Sequence, residues 1–131
     1  MAQMVKIGTF NAPEKDVALN PDNLFEIGVQ VTNTGVSANA EGRKIIPAGT
    51  PVGHATKNVL VERDTVLVVS NDSTLGANAQ GVLRHDVDVT AGQANATLIV
   101  RGEVDSSKCP TIHADAKTAL THIIFVNGGA Y

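Results

Sequence analysis

The clearest order in this chain is a two-residue alternation of apolar and polar side chains that returns in separate stretches. Phe25, Ile27, Val29 and Val31 alternate with Glu26, Gly28 and Gln30, the signature of a strand with one buried face. Leu83, His85, Val87 and Val89 alternate with Arg84, Asp86 and Asp88; after a polar turn at residues 90–95, Ala96, Leu98, Val100 and Val104 alternate with Thr97, Ile99, Arg101 and Glu103. The last two stretches predict an antiparallel hairpin whose outer face carries Arg84 and Arg101 among Asp86, Asp88 and Glu103. Two β-branched runs, Val59-Leu60-Val61 and Thr65-Val66-Leu67-Val68-Val69, predict two further strands joined by Glu62-Arg63-Asp64. Between residues 45 and 53, Pro47 and Pro51 exclude a helix, and Gly49 supplies a turn between short extended pieces.

Helical periodicity occurs once. Ile112, Ala116, Ala119 and Leu120 fall at i, i+4, i+7 and i+8, which predicts a two-turn helix with Asp115 near its positive N-terminus and small alanines facing a sheet. Ile123-Ile124-Phe125-Val126 follows as a final buried strand, ended by Asn127-Gly128-Gly129. Residues 1–42 are poor in large apolar side chains and are interrupted by Pro13, Pro21 and Thr32-Asn33-Thr34-Gly35. They read as an N-terminal arm with short strands, set against a β-rich domain at residues 43–131. Within the arm, residues 25–31 are the best candidate for fixed structure. That strand could join the protein's own sheet or add to the sheet edge of a partner, with alternate side chains setting the register.

A length of 131 residues corresponds to one domain, large enough to bury a core without staples. The single Cys109 cannot form an intrachain disulfide. Ten Lys and Arg against thirteen Asp and Glu leave a net charge of −3, which disfavours a phosphate backbone as partner. Aromatic residues are 3% of the chain and Trp is absent, which disfavours stacking platforms for bases or sugars. No apolar run has the length of a signal peptide or a membrane span, so the expectation is a soluble protein made in the cytoplasm, with no membrane partner.

Candidate chemistry is sparse. His85-Asp86-Val87-Asp88 could bind a divalent metal or supply a general base, but strand geometry sends residues 85 and 86 to opposite faces, so a structural role is favoured. Cys109 with His113 could form a nucleophile and base; Pro110 and the start of a helix lie between them, and a buried structural thiol is the plainer reading. His54 and His122 have no neighbours at metal-ligand spacing, and Gly49-Thr50-Pro51-Val52-Gly53 lacks the ending of a phosphate loop. No catalytic residue, cofactor or metal is expected, and the protein is read as a non-enzyme.

The order of the segments adds to this. Ile46-Pro47-Ala48-Gly49-Thr50-Pro51-Val52-Gly53, then Gly81-Val82-Leu83-Arg84-His85-Asp86-Val87-Asp88-Val89, then Ala96-Thr97-Leu98-Ile99-Val100-Arg101-Gly102-Glu103-Val104, then Ala114-Asp115-Ala116-Lys117-Thr118-Ala119-Leu120 and Ile123-Ile124-Phe125-Val126 form a succession that resembles the lambda-type head decoration proteins of tailed bacteriophages. The resemblance covers about residues 45–127. It implies a mainly β fold, with a small β-barrel or β-tulip-like sheet core and one short C-terminal helix; the extended N-terminal arm read from the residues themselves is longer than the family leads one to expect. It also implies a homotrimer at three-fold positions on the outside of the expanded capsid, where it cements the shell by binding the major coat protein. Phe10, Phe25, Ile27, Val29 and Val31 are the arm residues nominated for capsid contact. A head-fibre base, an adhesion or ligand-binding β module, and a small metal-binding enzyme using His85, Asp86 or Asp88 are the alternatives.

Overall fold

A computed structural model describes residues 16–19, 22 and 24–127. Its strands are β1 (Phe25–Thr32), β2 (Ile45–Ile46), β3 (Pro51–Gly53), β4 (Val66–Val69), β5 (Ala79–Leu83), β6 (Val87–Asp88), β7 (Gln93–Asp105) and β8 (Ile123–Val126), with a helix α1 (Ala114–Ala119) before β8. Strands β1, β4, β3, β5 and β7 pair in that order, and β7 pairs back onto β1, which closes a five-stranded barrel. Strand β8 lies outside the closure, parallel to the far half of β7, from Gly102 opposite Ile123 to Asp105 opposite Val126. Among the described residues the fold is therefore mainly β, a small barrel with one short α-helix.

Closure depends on β1. It runs antiparallel to β7 from Phe25 opposite Arg101 to Thr32 opposite Gln93, and parallel to β4 through Gln30 and Val31. The alternation at residues 25–31 thus belongs to the protein's own sheet. Val29 and Val31 point into the barrel, where they meet Val52, Leu67, Leu83 and Leu98. Each such side chain contributes about 1.5–3 kcal/mol of transfer free energy on burial.

The long β7 serves two cores. Leu98 and Val100 face the barrel interior, whereas Ile99, grouped with the polar face by strict alternation, is fully buried on the outside with Val82, Val104, Ala116, Leu120 and Ile123. The physical reason is the helix, whose alanine side lies over that face and removes it from water. The pairing of β5 with β7 needs glycine at one position: a Cβ on Gly81 would sit 2.6 Å from the Ile99 carbonyl oxygen and 2.7 Å from Leu98 Cγ. Gly102, with φ of +147°, marks the point where β7 passes from β1 to β8 as neighbour.

Three other sequence expectations change. Residues 59–61 form a turn rather than a strand, because Asn58 captures the following amides: Leu60 N–H donates to its Oδ1 at 2.9 Å, and Val61 and Glu62 donate to its carbonyl at 3.0 and 2.9 Å. Val59 is buried there while Val61 is 79% exposed. The alternating stretch 83–89 is not one strand. It pairs with β7 at Val82 and Leu83, then bends, and its continuation β6 pairs with β2 through Ile46 and Val87. Asp86 fixes the bend by accepting the Ala48 N–H at 2.7 Å. The last strand, expected to be buried, is half-exposed: Ile123 is covered and Ile124 is 59% exposed.

Candidate functional site

The residues with the richest chemistry in the sequence are occupied by structural work. Asp88 accepts from the Thr90 hydroxyl and amide and forms an ion pair with Arg43. The Thr90 hydroxyl and amide, together with the Arg43 guanidinium, hold its carboxyl down at about 2. Asp86, as described, anchors Ala48, so the His85-Asp86-Val87-Asp88 stretch is drawn apart, and no group of three metal-ligating side chains exists among the described residues. His113 caps α1, its Nδ1 accepting the Asp115 N–H at 3.1 Å. His54 Nδ1 accepts the amides of Thr56 and Lys57 at 3.1 Å. Cys109 donates its thiol to the Asp105 carbonyl at 3.3 Å and packs against the outer core under Gly49.

Arg84 is the chief electrostatic junction. It was expected among Asp86, Asp88 and Glu103; instead its Nε and Nη2 reach the two oxygens of Asp16 at 3.1 and 3.2 Å, and its Nη1 reaches Glu26 at 2.8 Å. Partial burial pushes the Asp16 carboxyl up, but the Arg84 hydrogen bonds, the Ala18 N–H and the positive field of Arg84 outweigh it, so the group lies below its ordinary value. The hydrogen bonds to Asp16 and Glu26 hold the guanidinium proton more tightly than usual. This fork ties the segment at residues 16–19 to the barrel wall, and Val17 behind it is fully buried.

The nominated contact residues separate. Val29 and Val31 are core residues and cannot touch a partner without unfolding the barrel, and Ile27 packs partly against the same core. Phe25 stands 44% exposed at the start of β1, and Phe10 lies outside the described residues. No helix among the described residues is long and apolar enough to cross a membrane.

No family model matches the chain, and no curated protein matches it significantly.

Apart from Phe25 and the turn at Leu60 and Val61, the large apolar side chains exposed among the described residues lie on the outer part of the β7–β8 sheet. Leu19 N–H donates to the Glu103 carbonyl at 3.1 Å on one side of β7, and Ile124 is paired with Glu103 on the other, so Leu19 and Ile124 flank Glu103 in one row. Val126 continues the row along β8, and Leu19, Ile124 and Val126 are 41%, 59% and 41% exposed. Sequence reasoning did not select Ile124 and Val126, because four apolar residues in succession read as covered on both faces. The signal available was position: among the described residues the run is last in the order of elements and has only β7 as a neighbouring strand.

Proposed function

We propose that this chain is a virion structural protein that binds the outside of an expanded phage capsid and cements it, as a homotrimer at three-fold positions. The observation that carries the reading is the assembly of the five segments that resemble lambda-type decoration proteins. They are consecutive neighbours in space: β3 pairs with β5, β5 with β7, β7 with β8, and α1 packs on the outward side chains of β5 and β7. Cementing is mass action. A protein that binds the expanded lattice and not the precursor stabilises the expanded form by its binding free energy at every occupied site. A rigid closed barrel suits that task, because little conformational freedom is lost on docking.

The test is electron microscopy of native particles from wild-type and deletion phage. Added density at three-fold positions that disappears with the gene supports the reading, and particles with identical shells overturn it. A heat or chelator challenge of the same particles gives the mechanical counterpart, with the deletion heads expected to rupture first.

A further inference from the structure

Barrel closure uses both edges of the strands that form it, so among the described residues the six-stranded sheet has an open edge at β8. The Gly102 N–H donates to the His122 carbonyl at 3.2 Å, which sets the phase of the parallel ladder: Ile124 and Val126 turn their backbone groups to β7. Ile123 and Phe125 turn theirs outward. The Ile123 N–H is taken by the Leu120 carbonyl at 3.3 Å, and the Ile123 carbonyl and both backbone groups of Phe125, on the side of β8 away from β7, have no backbone partner among the described residues. Beside this edge lies Glu103, half-buried between exposed Leu19 and Ile124, with no hydrogen bond or ion pair to its side chain among the described residues. A partly desolvated carboxylate without a counter-charge is unfavourable, and an incoming cation offsets that cost.

We infer that β8 is the edge to which an extended segment of the coat subunit adds as a further strand. The segment carries a basic side chain for Glu103, flanked at alternate positions by apolar side chains that cover Ile124 and Val126. This rests on the cementing function proposed above. Main-chain hydrogen bonds to Phe125 supply affinity, and the Glu103 charge sets the register, since a one-residue slip would place the basic side chain on the opposite face. The exposed apolar pair and the unpaired acid thereby become one contact instead of two unrelated surface features.

The experiment is co-sedimentation of the full chain with undecorated expanded heads of its phage, using wild type, Glu103→Lys, Ile124→Asp and, as a control away from the edge, Val61→Lys. Thermal melting of each free protein confirms folding, which the exposure of Ile124 and Val61 favours. The expected result is that Val61→Lys binds as wild type while Glu103→Lys and Ile124→Asp each bind at least about tenfold more weakly. Hydrogen exchange on the heads should show new protection at the Phe125 amide. Unchanged binding by both edge variants, or an unprotected Phe125 amide in a bound protein, overturns the edge assignment while leaving cementing intact. Failure of the wild-type protein to bind heads overturns cementing itself. Loss of a wild-type oligomer in the edge variants, with head binding unchanged, assigns the edge to a second copy and also overturns the proposal.

Discussion

Thr65 is 4% exposed, and its hydroxyl oxygen has no hydrogen-bond partner among the described residues. A buried hydroxyl without a partner costs about 1–3 kcal/mol of desolvation, and valine has nearly the same shape. Thr65→Val is therefore expected to raise the melting temperature, by an amount corresponding to about 1 kcal/mol; a lower melting temperature would mean that the hydroxyl does bond in solution. Asp88 and Asp16 give the acid limb of stability. Both have folded values below the ordinary 3.8, so their contribution is complete above that pH and is lost as pH falls through 3.8, reaching about 2 for Asp88. Melting temperatures compared at about pH 6 and about pH 2.5 should fall less for Asp88→Asn than for wild type, since the variant has no carboxylate to protonate.

At the scale of elements, what was legible in the sequence was the strand itself, and what was not was its neighbour. Alternation located β1 and β7 because one side of each faces a core, and period alone carries that information. It could not show that β1 pairs with β7 and β4, because the partners are set by closure of the whole sheet. Ile99 was placed on the polar face because the helix that covers it comes later in the chain. Val59-Leu60-Val61 has strand composition, yet Asn58 decides locally for a turn. Of the candidate surface, Ile124 and Val126 were not legible, since exposure depends on how many neighbours a strand acquires. The helix offers an element-scale test. It is tethered by Asn71, which accepts the His113 N–H at 2.7 Å and donates to the Thr111 carbonyl at 2.9 Å. Asn71→Ala removes both bonds and should cost about 1–3 kcal/mol. Hydrogen exchange should show α1 opening before the barrel, and simultaneous opening would mean that the two are a single cooperative unit.

For the molecule as a whole, the barrel makes the N-terminal third indispensable from Phe25 onward. Removing residues 1–32 leaves β4 and the near half of β7 with open edges and uncovers Leu67 and Leu98, so the fragment is expected to lose its cooperative thermal transition. A sharp transition in the calorimeter would show that the remaining sheet closes without β1. The same closure sets an order of events during synthesis. The strand that shuts the barrel leaves the ribosome early, while β7, its antiparallel partner, is made late and far along the chain. Until β4 is made β1 has no strand to pair with, and until β7 follows its other edge and its apolar side stay open to other nascent copies at the same stage. Folding is then gated by completion of β7, and the polar Glu26 and Gln30 on the outer side of β1 act as its protection from aggregation until the last stave arrives.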